Sequence, residues 1–348
     1  MEQNEIYAAL PGVLLPWYEK NARDLPWRHT KEPYRVWVSE IMLQQTRVEA
    51  VIGYYERFME AFPTVQALAE ADEARVLKLW EGLGYYSRAR NLQKTAKLLT
   101  ETQNGAFPDT AEALEKLPGI GAYTAGAVAS ICFEQPAAAV DGNVLRIIMR
   151  MTADDHPIDL PQVKKEIGEA LCKVYPKGHC GAFTQALMEL GAMVCVPNGA
   201  PKCESCPLQE LCLANAHGTW EKYPVKEAKK AKREEEKTVF YLTCDGCLAV
   251  RKRESKGLLA GLWELPNVEG KLDAAQALLF AEKAGCEPSE LLKSVERVHV
   301  FTHIIWRMRC YYIVCKEKSP EFVWASDARR KTDVALPTAF RMFVEEEI

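Results

Sequence analysis

The stretch LPGIGAYTAGAVAS, residues Leu117–Ser130, places two glycines one residue apart after a proline and before a run of small residues. Glycine admits backbone conformations that a Cβ obstructs, and small residues suit a closely packed helix. We predict a turn between a helix that ends near Leu117 and a helix that starts near Ala122. Gly119 and Gly121 would let backbone N–H groups approach an anion there. An ordinary helix–helix turn accounts for the same pattern equally well.

The rest of residues 1–222 has the pattern of an all-α domain. Apolar residues from Val48 to Phe62 recur at helical spacing, glycine or proline marks most helix ends, and no strand pattern interrupts them. Further helices are predicted over Asp72–Gly82, Ser87–Thr100, Thr110–Leu117, Tyr123–Phe133, Val144–Met151, Pro161–Val174 and Ala182–Val194.

A change in residue composition and hydrophobic pattern near residue 223 indicates a second domain. Residues 226–237 are charged and almost free of apolar side chains, so we predict a linker over 223–237. Beyond it, TVFYLTCDGCLAVRKR predicts a β-hairpin around Asp245 and Gly246, and VERVHVFTHIIWRMRCYYIVC predicts two more strands. DAAQALLFAEKAG predicts a helix between them. Residues 238–348 are therefore expected to form an α+β domain.

Composition gives no sign of a nucleic-acid partner. The 348-residue chain has a formal net charge of −4, so a DNA-binding function must depend on local geometry. Apolar runs are too short to span a membrane, and the polar, acidic N-terminus does not resemble a signal peptide. We expect a cytoplasmic protein without a membrane partner.

Four of the twelve cysteines form a compact group. Cys195, Cys203, Cys206 and Cys212 are spaced C-x7-C-x2-C-x5-C. A single tight loop of four cysteines favours an iron–sulfur cluster, with structural zinc as the alternative. Another C-x2-C pair, at residues 244 and 247, straddles the predicted hairpin turn, so we interpret it as cross-strand neighbours without a metal.

The glycine hairpin and the cysteine loop at residues 195–212 together resemble the helix-hairpin-helix DNA glycosylases that carry a C-terminal iron–sulfur loop, which implies a [4Fe-4S] cluster here. AVDGNVLRI matches the family segment with the active-site aspartate, which implies Asp141 with Asn143 beside it. Alone, this segment is equally compatible with a turn or a helix cap. In the lyase branch the position of Tyr123 carries a lysine that forms a Schiff base. Tyrosine forms no imine, and no lysine lies between Lys116 and Lys164, so the resemblance implies hydrolysis without β-elimination.

VWVSEIMLQQTRV (36–48) and WEGLGYYSRARNL (80–92) resemble the A/G-specific adenine DNA glycosylases, the MutY family, over most of the chain. That resemblance implies a monomeric base excision enzyme that removes adenine opposite 8-oxoguanine or guanine in double-stranded DNA. One alternative is a glycosylase for another mismatch, such as G·T. Another is a non-enzymatic iron–sulfur protein that senses DNA damage.

Glu40 suits the role of general acid. Trp37 and Val36 precede it by three and four residues on a helix, and Leu43 follows by three. An apolar surrounding raises the pKa of a carboxyl group and keeps it protonated near neutrality. The family implies protonation of adenine N7 by this group, with Asp141 stabilising the oxocarbenium-like sugar. A glutamate on a helix surface is the alternative from the pattern alone.

The resemblance also implies residues that contact DNA. An extruded adenine would be surrounded by Arg23, Trp27, Arg28 and Gln185, although both arginines also suit surface salt bridges. Gln45, with Thr46 next to it, and Tyr85 would fill the gap in the base stack; a core aromatic is the alternative for Tyr85.

The second domain resembles the Nudix-like domain with which this family reads 8-oxoguanine. GLLAGLWELP matches well, and the F-S-H loop corresponds to Phe301, Thr302 and His303, with threonine in place of serine. The stretch DAAQALLFAEKAG lacks the metal-binding carboxylates of Nudix hydrolases, so pyrophosphate hydrolysis is not expected. The family usually has six residues between the first two cysteines where this chain has seven, VPNGAPK. We expect a local bulge there with ligation intact.

Overall fold

The computed structural model describes residues 3–227 and 231–345. It divides into two compact units, the first formed by Met1–Glu70 with Asn91–Ala228 and the second by Ala71–Arg90 with Lys229–Ile348. Within the described ranges, no helix is both long and apolar enough to cross a lipid bilayer.

The first unit is helical, as predicted. Short 3₁₀ turns at Pro26–Arg28, Cys203–Ser205, Gln209–Leu211 and Trp220–Lys222 supplement its helices. The helices from the N-terminus through residue 216 are α1 Gln3–Asn21, α2 Pro33–Leu43, α3 Val48–Ala61, α4 Val65–Glu70, α5 Glu73–Leu79 (in the second unit), α6 Ser87–Gln103 (across both units), α7 Ala111–Leu114, α8 Ala122–Phe133, α9 Gly142–Thr152, α10 Pro161–Cys172, α11 Cys180–Met193 and α12 Leu213–Ala216.

The small residues after the glycine hairpin let α8 pack closely on its neighbours. Residues 124–131 are all buried. A Cβ added at Gly126 would lie 2.5 Å from the carbonyl oxygen of Ala138, so only glycine fits there without displacement of backbone. This close packing brings the start of α8, with Tyr123, against α2 and α11.

The described residues of the second unit form a seven-stranded sheet with three further helices. The strands are β1 Arg233–Cys244, β2 Cys247–Lys252, β3 Trp263–Glu264, β4 Asn267–Glu269, β5 Pro288–Val300, β6 Ile304–Cys315 and β7 Val323–Ala325, and the helices are α13 Ala274–Lys283, α14 Asp327–Thr332 and α15 Thr338–Val344. The main path of the sheet runs β3-β2-β1-β6-β5; β4 also pairs with β1 and β7 with β2. The predicted hairpin is confirmed: β1 and β2 are antiparallel, and Cys244 pairs with Cys247 across the turn. The predicted helix is α13, and strands β5 and β6 flank the loop that carries residue 302.

The structure differs from the predicted boundaries at residues 71–90, which group with the second unit rather than with the all-α domain 1–222. Lys78 Nζ donates to the carbonyl oxygens of Arg330, at 2.8 Å, and Val334, at 3.2 Å. The backbone N–H of Leu336 donates to Glu81 Oε1 at 2.6 Å. These contacts join residues more than 250 positions apart, so they could not be predicted from local sequence patterns.

The predicted linker 223–237 is shorter in the structure, because β1 already begins at Arg233. The charged side chains of this strand find partners on β6: Glu234 pairs with Arg307, and Trp306 Nε1 donates to Glu235 Oε2 at 2.8 Å. A strand built of charged residues was therefore misread as a linker. Residues 228–230 lie outside the described ranges.

Candidate active site

Glu40 and Tyr123 form a buried hydrogen-bonded pair. Glu40 lies on α2 between the buried side chains of its apolar neighbours and is only 4% exposed, so the alternative of a surface glutamate is wrong. Tyr123, in the first turn of α8, donates its hydroxyl to Glu40 Oε2 at 2.8 Å. The same hydroxyl lies 3.9 Å from Met188 Sδ on α11.

The Glu40 carboxyl is placed to exchange a proton near neutral pH. Burial raises its pKa from 4.5 to about 7. The hydrogen bond from Tyr123 and the charge of Arg28 lower the pKa, whereas the charge of Asp141 raises it. Burial also raises the pKa of Tyr123 well above its ordinary value, which keeps this hydroxyl a neutral donor.

Asp141 caps the N-terminus of α9 and belongs to the same electrostatic neighbourhood as Glu40. Its Oδ1 accepts from the backbone N–H groups of Asn143, at 2.9 Å, and Val144, at 2.8 Å, and its Oδ2 accepts from Asn143 Nδ2 at 2.7 Å. Burial raises the pKa of Asp141, while these hydrogen bonds and the charge of Arg146 favour its ionised form. The predicted helix cap and the carboxyl near the site are therefore the same residue.

Arg146, which sequence reasoning missed, orients Asn143. Arg146 Nη2 donates to Asn143 Oδ1 at 2.8 Å and to the carbonyl oxygen of Gly191 at 2.8 Å. Its Nε donates to the carbonyl oxygen of Cys195 at 2.7 Å. The amide oxygen of Asn143 is thus occupied, and its NH₂ group points to Asp141.

Arg23 and Arg28 form salt bridges as their alternative interpretation held, but their partner is fully buried. Arg23 donates through Nε, at 2.6 Å, and Nη2, at 3.2 Å, to the carboxylate of Glu189 on α11. Arg28 Nη2 donates to the same carboxylate. Although burial raises the pKa of Glu189, the two arginines hold it below its ordinary value. Sequence reasoning missed Glu189, although it follows Gln185 by one helical turn and is the charged residue of a mostly apolar helix.

Gln185 and Trp27 also lie in the first unit. Tyr18, near the end of α1, donates its hydroxyl to Gln185 Oε1 at 2.5 Å, and the guanidinium of Arg28 lies 5.6 Å from the centre of the Tyr18 ring. Trp27 is buried with its ring in edge-to-face contact with Tyr55, at a centroid distance of 5.5 Å. Gln185, Arg28 and Glu189 therefore belong to one polar network.

The two hairpin glycines are not equivalent. Gly119 has φ +75°, and an added Cβ would lie 2.5 Å from Asn91 Cβ, so this position requires glycine. Gly121 caps α8 with an ordinary φ of −96°, and open space surrounds its Cβ position. Gln45 is exposed with φ +58°, an unusual conformation for a residue with a side chain, and Thr46 next to it is partly buried.

In the second unit, Tyr85 contacts the loop between β5 and β6. Its hydroxyl lies 3.0 Å from Thr302 Oγ1. Tyr85 is 50% exposed with φ +47°, so the alternative of a core aromatic is wrong. Thr302 and His303 are exposed at the same loop.

The four cysteines of the loop line one small cavity together with Arg150 and Trp220. Arg150 Nη1 lies 3.3 Å from Cys195 Sγ. The extra residue between the first two cysteines is accommodated by a closed loop, in which the N–H of Lys202 donates to the carbonyl oxygen of Val194 at 3.0 Å.

Comparison with known proteins identifies the family. Residues 38–173 match the HhH-GPD superfamily of base excision DNA repair proteins, and residues 238–346 match the NUDIX domain. The chain is 36% identical to the adenine DNA glycosylase of Homo sapiens over 95% of this chain and 71% of the relative. It is 34% identical to that of Buchnera aphidicola subsp. Acyrthosiphon pisum over 84% of this chain and 83% of the relative. The chain belongs to the adenine DNA glycosylase family.

Membership of this family confirms the prediction that the chain is a base excision repair enzyme that acts on N-glycosyl bonds. The alternative of a non-enzymatic protein is therefore wrong. A helical glycosylase domain followed by a Nudix-like domain is confirmed as well. The solved structure of a thermostable thymine-DNA glycosylase superposes with a TM-score of 0.56 at 28% identity, covering 62% of this chain and 98% of that one.

Proposed function

We propose that this adenine DNA glycosylase family member hydrolyses the N-glycosyl bond of adenine paired with 8-oxoguanine or guanine in duplex DNA. The observation that carries the proposal is the buried Glu40 carboxyl, whose pKa is raised to about 7 and which accepts a hydrogen bond from Tyr123. A carboxylic acid that holds its proton near pH 7 is a suitable general acid for a leaving purine.

In the proposed mechanism, adenine is extruded from the duplex before the bond breaks. Glu40 donates its proton to N7 of the purine, so adenine leaves as a neutral base. Tyr123 keeps the Glu40 carboxyl in one orientation through its hydrogen bond. The Tyr123 phenol forms no Schiff base, so the oxygen of a water molecule bonds to the sugar carbon that lost adenine, and the proton that this water releases returns to Glu40. The strand is left intact at an abasic site.

Asp141 is proposed to stabilise the positive charge that develops on the sugar. An ionised carboxylate beside an oxocarbenium-like centre lowers the barrier electrostatically or adds covalently as in retaining glycosidases. The hydrogen bonds from residues 143 and 144 favour the ionised form that either role requires. Asn143 would keep the Asp141 carboxylate facing the sugar.

The remaining polar residues are proposed to bind DNA. Arg28 and Gln185, held by buried neighbours, would surround the extruded adenine with Arg23 and Trp27. Gln45 and Tyr85 are exposed and have unusual backbone conformations, which suits residues that enter a base stack. We assign Thr302 and His303 to the opposite base, and Gly119, Gly121 and Thr46 to the backbone near the extruded nucleotide.

A [4Fe-4S] cluster is the proposed cofactor of the cysteine loop. Four sulfurs and a nearby guanidinium line one cavity, which fits a cluster held by four thiolates. A single compact loop of four cysteines favours the cluster over zinc. A brown chromophore at about 400 nm in purified protein would support the cluster, and its absence would contradict it.

The test of the activity uses end-labelled duplexes that carry A·8-oxoG, A·G or T·G, with an A·T duplex as the control. We expect cleavage at adenine in the first two only after treatment with alkali. Cleavage of T·G alone would instead favour a thymine glycosylase, the activity named for the superposed solved structure. Nicking without alkali would contradict the assignment of Tyr123.

A further inference from the structure

Glu189 is a buried charged residue that the proposed mechanism does not use. Its carboxylate is 0% exposed and accepts four hydrogen bonds, from the Arg23 backbone N–H, Arg23 Nε, Arg23 Nη2 and Arg28 Nη2. A buried carboxylate is costly unless it is paired and fully hydrogen-bonded, and this one is both. Removal of one partner should therefore affect the other two.

Arg28 connects this ion cluster to the proposed acid. It donates from Nη2 to Glu189 and from Nη1 to the carbonyl oxygen of Arg23 at 3.0 Å, and it lies over the ring of Tyr18. Its charge also acts on Glu40. Arg28 thus binds the Glu189 carboxylate directly and acts on the Glu40 carboxyl through its charge.

We propose that Glu189 is a positioning residue of the adenine pocket: it fixes Arg23 and Arg28 and offsets the positive charge of Arg28 beside Glu40. This inference rests on the proposed role of Glu40 as general acid. The two arginines and Glu189 together carry one net positive charge. Without the carboxylate they carry two, and the additional charge favours ionised Glu40, which cannot donate a proton.

The other charged or titratable groups that act on Glu40 come from several elements. Tyr123 and Cys132 lie on α8, Asp141 caps α9, and Arg28 lies in the 3₁₀ turn Pro26–Arg28. The Asp141 charge opposes ionisation of Glu40, and the Arg28 charge promotes it. Glu189 acts on this balance through Arg28, from α11.

The experiment compares single-turnover adenine excision by wild-type protein and the Glu189→Gln variant from about pH 5 to pH 9, with an A·8-oxoG duplex. Glutamine keeps the shape of the side chain and removes its charge. We expect the fall in rate on the alkaline side to move to lower pH by about one unit, because loss of the Glu189 charge leaves the positive charge of Arg28 unbalanced and a nearby positive charge lowers a carboxyl pKa. The rate should drop about tenfold at pH 8 and change little at pH 5.5.

The chain offers a matched control in the second unit. Glu264 is buried and forms salt bridges with Arg251, at 2.7 Å, and with Arg253. Glu264→Gln removes the same charge from the same type of cluster, and we expect its pH profile to match that of the wild type. A shift in this control would show that the effect is not specific to Glu189.

A second variant keeps the proposal testable if Glu189→Gln does not fold. Arg28→Gln removes the positive charge near Glu40. The fall in its excision rate at high pH, the alkaline limb, should therefore move to higher pH, although the variant binds the duplex more weakly. A uniform loss of rate at every pH in Glu189→Gln, or a downward shift in Arg28→Gln, would overturn the proposal. Failure of the proposed function is distinct: wild-type protein would then release no adenine or show no alkaline limb.

Discussion

Glu40 and Glu189 are both buried on helices of the first unit, and burial raises the pKa of each carboxyl group. Glu40 receives one hydrogen bond from a neutral phenol, and its pKa remains raised to about 7. Glu189 receives hydrogen bonds from two guanidinium groups, and its pKa falls below the ordinary value. Burial thus acts in the same direction on both carboxyl groups, and only Glu189 has positively charged hydrogen-bond partners that reverse its effect on the pKa.

The largest expected effect comes from replacing the protonated member of this pair. Glu40→Gln keeps the size of the side chain but cannot donate a proton to the purine. We expect the single-turnover rate at pH 7 to fall by about 10³-fold, within the range for loss of a general acid. Gel-shift titration should show that the variant still binds the A·8-oxoG duplex. A rate close to that of the wild type would show that Glu40 is not the proton donor.

Asp141→Asn tests whether an ionised carboxylate is required opposite the acid. Asparagine is a good helix N-cap, so α9 should remain folded while the negative charge near the sugar is lost. We expect a rate loss of about 10²-fold or more, of the size found when one electrostatic stabiliser is removed. Far-ultraviolet circular dichroism checks the fold, and an unchanged rate in a folded variant would exclude Asp141 from catalysis.

The stability of two variants should depend on pH in opposite ways. The raised pKa of Glu40 means that its contribution to stability is full below pH 4.5 and is lost as pH rises to about 7. Glu40→Gln should therefore gain up to about 3 kcal/mol over the wild type across that window. Because the pKa of Glu189 is lowered, its contribution is present above about pH 4.5 and is lost as pH falls.

Urea unfolding of wild type, Glu40→Gln and Glu189→Gln at about pH 3.5, pH 5 and pH 8 measures this difference. Relative to the wild type, Glu40→Gln should gain stability from pH 5 to pH 8. Glu189→Gln should be destabilised by a similar amount at pH 5 and pH 8 and by less at about pH 3.5, where the wild type loses the contribution of the carboxylate. The same pH trend in both variants would contradict the opposite charge states.

The smallest expected effect concerns Tyr123. Its hydrogen bond lowers the pKa of Glu40, so Tyr123→Phe should raise that pKa and move the alkaline limb of the rate upward by less than about one pH unit. The pH profile of single-turnover excision measures the shift. A downward shift would show that the phenol favours the protonated acid instead.

The raised pKa of Glu40 could be predicted from the sequence, whereas the lowered pKa of Glu189 could not. Trp37 and Val36 share a helix with Glu40, so its apolar surrounding could be predicted from spacing alone. Arg23 and Arg28 lie 166 and 161 residues from Glu189, and tertiary packing brings the segment after α1 against α11. The charge state of a buried group depends on such distant partners, which helical periodicity does not encode.

The same limit applies to the fold. The hairpin at Asp245 and Gly246 was predictable because a two-residue turn is local. The parallel pairing of β1 with β6 joins Arg233 to Ile304. Residues 233–237 therefore belong to a strand, although their charged composition predicts a linker. Likewise, contacts of Lys78 and Glu81 with residues 330–336 place residues 71–90 in the second unit.

The pH dependence of single-turnover adenine excision by the wild-type protein tests the central claim most directly. If a protonated Glu40 donates to the purine, the rate should be highest below pH 7 and fall about tenfold per pH unit above it, with the midpoint near 7. A rate that stays constant or increases from pH 6 to about pH 9 would contradict the account.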